Sequence, residues 1–231
     1  LNNNILRISE KGFSNFFKNI NKNYKITYDN KLSKADIYII AVPTPIYEDK
    51  IPNLDYINSA LESILKILKD GDSIILESTS PIGTTESLYK KIKANRPDLF
   101  SSKNIPLFNL AYCPERILPG NLVFEIIHND RIIGGINKKS SDFVHNFYQS
   151  FTSCNLYKTN SKTAELVKLC ENSYRDVNIA FANELSLLCD QKDIDVKEAI
   201  ALANKHPRVD ILNPGIGVGG HCIPVDPWFI V

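Results

Sequence analysis

The chain has 231 residues and not one of them is Met. A polypeptide without Met cannot start at its own initiation codon. Both ends, at Leu1 and in the apolar run Trp228–Val231, therefore read as cuts through a larger protein. Net charge is also nearly absent, with 27 basic against 26 acidic side chains. That balance leaves no electrostatic footprint for nucleic acid or for an anionic membrane surface. No apolar run approaches the roughly 18–20 residues that cross a bilayer. The N-terminus lacks the apolar centre of a secretion signal, so a cytoplasmic protein is expected. The five cysteines (Cys113, Cys154, Cys170, Cys189 and Cys222) are odd in number, widely spaced and free of any C-x-x-C pair. This argues against a disulfide framework or a zinc site. Cys154, Cys170 and Cys189 fall in apolar-periodic segments and are expected to be small buried hydrophobes.

What is present is an alternation of short apolar strands with helical segments. Asp36–Val42 is a continuous apolar run that breaks at Pro43-Thr44-Pro45, the pattern of a buried strand entering a loop. Leu54–Lys69 carries apolar residues at helical spacing and stops at Gly71-Asp72. Ser73–Leu76 is a second strand, and a helix is predicted from Thr84 to Lys93. Asn109–Tyr112, Arg131–Ile133 (closed by Gly134-Gly135) and Asn155–Lys158 read as further strands, with Ser140–Phe151 helical between the last two. Such alternation predicts an α/β fold with a parallel sheet covered on both faces. Ligands of such sheets sit beyond the carboxyl ends of the strands. Three loops there carry unusual chemistry: Val42–Pro45, Glu77-Ser78-Thr79 and Cys113-Pro114-Glu115-Arg116. They are predicted to surround one crevice.

After Thr159 the texture changes. Ser161–Asp190 has neither Gly nor Pro and repeats apolar residues at helical spacing, which predicts one long helix. Val196–Asn204 is a second helix, followed by a loop rich in Gly and Pro over His206–Pro227. On the long helix Glu165, Lys168, Asn172 and Arg175 share one face. A stripe of polar residues is most often a solvated face. Here it mixes a base, a cation and an amide, and the flanking Leu166, Val167, Leu169, Val177 and Ile179 are apolar. A partly desolvated Lys serves as an acid or base, and an Asn fixes a water or an oxyanion without changing charge.

Gly217, Gly219 and Gly220 precede His221-Cys222. No strand precedes them, so this is no dinucleotide-binding loop. Glycines admit positive φ and close approach of a ligand to the main chain. A helix is expected from Pro227-Trp228, which would place Cys222 near its start, where a thiolate is favoured. Standing alone, such a Cys is more readily taken as inert and buried.

The block Thr163–Asn183, the loop Lys205–Pro227 and the strand ends AVPTP, ESTSPIGTT and YCPERILPG together resemble the UDP-glucose/GDP-mannose dehydrogenase family, in order and over nearly the whole chain. The segment Cys222-Ile-Pro-Val-Asp226, with Val225 in place of a Lys, resembles the branch acting on UDP-N-acetylhexosamines, the manno sugar first among them. The resemblance implies a partial Rossmann-like NAD-binding domain over 1–159, lacking the family's glycine fingerprint. A central helical domain over 160–231 would follow, with a homodimer built through the long helix and Val177, Ile179, Phe181 and Leu185 as its seam. It implies NAD as cofactor and a UDP-N-acetylhexosamine as substrate, oxidised twice at C6. Cys222 would be the covalent nucleophile, Lys168 the acid/base or the cation at the alkoxide, and Asn172 a holder of the oxyanion and water. Asp226 and Glu115 would activate water. Thr44 and Thr79 would lie near the cofactor. Arg116, Ile117, Arg175, His206, Arg208 and Gly219, with Lys168 and Asn172, would contact the UDP-sugar. A 231-residue chain lacking both end segments is expected to be inactive by itself. Hydroxyacid dehydrogenases also carry a Lys and an Asn four apart on a long helix, but need no thiol, so Cys222 separates the two.

Overall fold

The computed structural model describes residues 32–118, 120–220 and 222–231. Residues 1–31 of the expected cofactor domain, and His221 of the glycine loop, lie outside the described residues. Among the described residues five strands and six α-helices follow one another: β1 (Ile37–Ile40), α1 (Asp55–Leu65), β2 (Ser73–Leu76), α2 (Thr84–Asn95), β3 (Asn109–Tyr112), α3 (Leu122–His128), β4 (Arg131–Gly135), α4 (Lys138–Gln149), β5 (Leu156–Asn160), α5 (Ser161–Lys192) and α6 (Val196–Ala203). The strands form one sheet in the order β1-β2-β3-β4-β5.

The central strands β2 and β3 are buried along their whole length, which is why their sequences are continuous rather than alternating apolar runs. Alternate side chains feed two cores. Ile74, Leu76, Leu110 and Tyr112 point to one face, against Ile57, Leu61 and Ile64 of α1 and Leu88 and Ile92 of α2. Ile75, Ala111, Cys113 and Ile133 point to the other, against Val144 and Tyr148 of α4. Each fully buried Ile or Leu contributes roughly 1.5–3 kcal/mol relative to exposure. The α/β layering expected from the strand–helix alternation is present, and with it the Rossmann-like domain that the family resemblance implies.

Two features differ from expectation. The sheet is not wholly parallel: β1–β2, β2–β3 and β4–β5 are parallel, but β4 pairs antiparallel with β3. The seven-residue α3, within a stretch assigned no element, reverses the chain between them. Gly134-Gly135 close β4 as expected, but as its last two paired residues, so the strand runs two residues longer than Arg131–Ile133. The reason is packing. A Cβ on Gly134 would meet Ala164 Cβ at 2.6 Å and Ser161 Cα at 2.8 Å, and one on Gly135 would meet Ser141 Oγ at 2.4 Å. Side chains are absent so that α4 and α5 can lie on the strand.

The long helix α5 runs 32 residues, starting at an Asn160 side chain that accepts from the Thr163 amide and ending at Asp193 in the left-handed conformation. It follows β5, which is reversed relative to β1–β3. Turning back from β5, α5 therefore travels the same way as β1–β3, toward the end where those strands stop. The reversal of β4 is what brings the helix to the crevice.

Candidate active site

The three strand-end loops are laced into one ledge by short hydrogen bonds. Ser78 Oγ accepts from the Val42 amide at 2.8 Å and donates to the Val42 carbonyl at 2.8 Å, tying the loop after β2 to the loop after β1. The Glu77 amide donates to Ile40 O, and the Cys113 amide to Leu76 O, both at 2.9 Å. The crevice foreseen from the three loops is thus a continuous shelf. Thr44 and Thr79 are half-buried on it, and neither hydroxyl is taken by a hydrogen bond among the described residues. Two free hydroxyls above neighbouring parallel strand ends fit a dinucleotide lying across the shelf.

The helix α5 passes this shelf one functional residue at a time. Glu165, fully buried, does not face solvent and does no proton chemistry at the surface. Its Oε1 accepts from the Thr85 amide at 2.8 Å and from Thr85 Oγ1 at 2.6 Å, and Oε2 accepts from the Gly83 amide at 2.5 Å. It caps α2, whose own N-terminal residue Gly83 supplies no side chain. Burial raises its carboxyl above the ordinary value, against those three donors. Lys168, next along, is half-buried, and its ammonium takes no ion pair among the described residues.

Glu171, which no sequence pattern singled out, holds Arg116. The Arg116 Nε and Nη2 reach its two carboxylate oxygens at 3.0 and 2.5 Å, and Nη1 donates to Asp130 O at 2.8 Å. Such a two-pronged pair is directional as well as strong. Arg116 thereby clamps the loop after β3 onto α5. Glu115 Oε1 accepts from the amides of Arg116 and Ile117 at 2.6 and 2.9 Å, which folds that loop back on itself.

Asn172 is 7% exposed and donates to Asp226 Oδ2 at 2.5 Å; Asp226 is 4% exposed. Burial pushes the Asp226 carboxyl up from its ordinary range, opposed by the Asn172 amide and the Lys168 charge. The Asp226 amide donates to Cys222 O at 2.8 Å, so Cys222 lies one turn of chain before Asp226. Cys222 itself is exposed. One contact between α5 and the loop thus fixes where the thiol sits. The helix expected at Pro227-Trp228 is only a four-residue 3-10 turn, Asp226–Phe229. A turn of this length beginning four residues beyond Cys222 supplies no helix terminus to the thiol. Gly217, Gly219 and Gly220 do adopt positive φ, at 65°, 69° and 81°.

The glycine loop is held by two further side chains that sequence reasoning passed over. Asn178 bonds Asp210 O at 2.7 Å and the Leu212 amide at 2.9 Å; Asn183 bonds the Gly215 amide at 2.8 Å and Gly217 O at 3.3 Å. Asn is a poor residue for a helix interior. Two of them in mid-helix were a readable signal of outside partners. Arg175, His206, Arg208 and Gly219 are exposed, and Ile117 is half-buried. The structure brings Lys168, Asn172, Asp226, Cys222, Glu115 and Arg116 around the path of α5; it leaves His206 and Arg208 in the loop beyond α6. Of the cysteines expected to be buried, Cys189 is, whereas Cys154 is half-buried and Cys170 is exposed, because it faces outward on α5.

Two family descriptions match. Residues 1–152 match the UDP-glucose/GDP-mannose dehydrogenase family, NAD binding domain, and residues 162–231 match the central domain of the same family. A UDP-N-acetyl-D-mannosamine dehydrogenase of Campylobacter jejuni is 54% identical over 202 residues, 86% of this chain and 50% of that protein. An NDP-N-acetyl-D-galactosaminuronic acid dehydrogenase of Ralstonia nicotianae is 52% identical over 200 residues, 85% of this chain and 47% of that protein. The solved structure of a UDP-D-ManNAc dehydrogenase from Pyrococcus horikoshii superposes with a TM-score of 0.91 at 39% identity, covering 98% of this chain and 54% of the other. The chain spans about half the length of the curated relatives it matches. Among the described residues no helix is long and apolar enough to cross a membrane.

Proposed function

Because this chain belongs to the UDP-glucose/GDP-mannose dehydrogenase family, we propose that the protein carrying it oxidises the C6 alcohol of UDP-N-acetyl-D-mannosamine to the carboxylate in two steps. The relatives named for that sugar support the substrate. The observation that carries the chemistry is the Asn172–Asp226 hydrogen bond, which sets Cys222 one turn away from a polar, partly desolvated face of α5.

NAD, when bound on the shelf with Thr44 and Thr79, supplies the acceptor for the hydride at each oxidation. The chain's own residues do the rest. Cys222 Sγ adds to the C6 aldehyde and keeps it from leaving between the steps. Lys168, as acid/base or as the nearby cation, handles the proton or charge of the C6 oxygen, and the Asn172 amide steadies that oxygen and the attacking water. After the second oxidation the acyl group is a thioester on Cys222. Water cleaves it, with Glu115 and Asp226 as the carboxylates that take the proton. Arg175, His206, Arg208, Ile117 and Gly219 would line the UDP-sugar path, and Arg116 would shape it through its clamp on Glu171.

The exposed stripe of α5, Tyr174, Val177, Phe181 and Leu188, suits a second copy of the chain. Ile179 and Leu185 are half-buried and belong less to that seam. A homodimer through α5, in the cytoplasm, completes the proposal.

The test is to count NADH formed per sugar with UDP-N-acetylmannosamine, UDP-N-acetylglucosamine, UDP-N-acetylgalactosamine and UDP-glucose, using both the 231-residue chain and the polypeptide that contains it. Two per sugar with the manno compound is expected from the containing polypeptide. Two with another of the four would reassign the sugar. One with Cys222→Ser behaving like the parent would remove the thiol from the mechanism.

A further inference from the structure

On the α4 face of the sheet, side-chain parity brings together residues from four elements. Glu77 continues the direction of Ile75 beyond β2, and Cys113 and Glu115 continue that of Ala111 beyond β3. Arg131 shares the face of Ile133 on β4, and Tyr148 of α4 packs over them. The antiparallel register pairs Ala111 with Gly135 and Tyr112 with Gly134. Carried on residue by residue, it sets Glu115 opposite Arg131. Had β4 been parallel to β3, its first residue would lie at the far end of the sheet.

Arg131 is a cation enclosed in the protein, 5% exposed. Its guanidinium carbon lies 4.7 Å from the centre of the Tyr148 ring. Nη2 is 3.9 Å from Glu115 Oε2 and 3.4 Å from Ile126 O, and Nε has no hydrogen-bond partner among the described residues. The Tyr148 hydroxyl donates to Glu77, whose carboxyl is raised by burial and opposed in that by the Tyr148 hydroxyl and the Arg131 charge, and the Cys113 thiol is pushed up to about 12 by burial and stays protonated. A buried cation in such company is costly unless an anion faces it. Glu115 is the carboxylate in ion-pair range of its Nη2: one oxygen is fixed by two backbone amides, and the other lies toward Arg131.

We propose that Arg131 is a positioning residue for thioester cleavage, holding Glu115 in place beside the Cys222 acyl group. This rests on the proposed reading in which Glu115 takes the water proton. In that step the water oxygen bonds the acyl carbon, the C–S bond breaks with its electron pair leaving on Cys222 Sγ, and the proton passes to Glu115. Arg131 touches none of these atoms and acts through Glu115 alone. A carboxylate displaced by an ångström loses on the order of 100-fold in rate.

The experiment uses the polypeptide containing this chain, with NAD and UDP-N-acetylmannosamine, and reads both steady-state turnover and the intact mass of the enzyme during turnover. Arg131→Met is expected to lower kcat about 10- to 100-fold with KM unchanged. The acyl adduct on Cys222 should accumulate. Arg131→Lys should recover most of the rate. Glu115→Gln should show the same adduct, and the double variant R131M/E115Q should be no slower than E115Q. A wild-type kcat in R131M overturns the proposal, as do multiplied losses in the double variant or a folded R131K that fails to rescue. If E115Q leaves acid formation intact, the role given to Glu115 is wrong. The contact is then judged by a double-mutant cycle on the thermal midpoint, which needs no turnover: additive shifts overturn it, and non-additive shifts uphold the Arg131–Glu115 contact.

Discussion

Asn172 in the middle of the long helix and Asp226 at the end of the glycine loop are joined by a 2.5 Å hydrogen bond, 54 residues apart in sequence and both buried. Removing the amide strands a buried carboxylate. Asn172→Ala is expected to cost about 1.5–3 kcal/mol, read by urea unfolding with an unchanged slope. A loss below the error of that measurement would show that the loop is held elsewhere.

The same pair gives a pH dependence. Burial raises the Asp226 carboxyl in the folded chain. The folded state therefore keeps a proton that the unfolded chain releases near the ordinary Asp value of about 3.9. Its contribution to stability is complete below that value and is lost as pH rises through the raised folded one. Asp226→Asn has no such loss. The thermal midpoint of D226N minus that of the parent is expected to grow from about pH 4 upward and then level. Glu77 and Glu165, also raised by burial, are present in both proteins and cancel. A difference that is flat with pH would contradict the assignment.

Glu165 carries three donors with two oxygens, and α2 has no other side-chain cap. Glu165→Gln presents an NH₂ to a backbone N–H, so at least one donor is left unpaired. A loss of about 1–3 kcal/mol is expected. It should be accompanied by faster amide exchange at Gly83 and Thr85. Unchanged exchange at those two amides would mean that another group caps the helix.

Gly134→Ala tests the seating of α5 on β4. The new methyl would fall within 2.6–2.8 Å of Ala164 Cβ, Asn160 O and Ser161 Cα, of which two are backbone. Overpacking against backbone costs typically about 1–3 kcal/mol. Chemical denaturation of G134A reads it directly, and a neutral result would show that the helix can shift.

Much of this was legible beforehand. β2 and β3 fall on the predicted residues because fully buried strands are continuous apolar runs with turn residues at both ends. α5 was legible because 30 residues without Gly or Pro leave few alternatives. The direction of β4 was not, since an apolar run looks the same read into the sheet from either end. The polar stripe on α5 was visible as a set, but its members part company. Glu165 turns inward to cap α2, Asn172 meets Asp226, and Arg175 stays in solvent. A helical face says which residues are neighbours and nothing about the loops that reach them. Arg116 shows the same limit: its charge suggested a ligand, while its partner Glu171 lay 55 residues away.

At 1.5 Å per residue the 32 residues of α5 extend about 48 Å, and every attachment along it has a fixed angular phase. Glu165, Glu171, Asn172, Asn178 and Asn183 each find their partners only at their own azimuth. One residue inserted between Glu165 and Glu171 would leave the cap on α2 untouched and rotate everything beyond it by about 100°. Seven inserted residues would return the azimuth to within about 20° but translate the glycine loop by about 10 Å. The helix thus behaves as a keyed shaft, tolerant of changes to side chains on its open side and intolerant of any change in count.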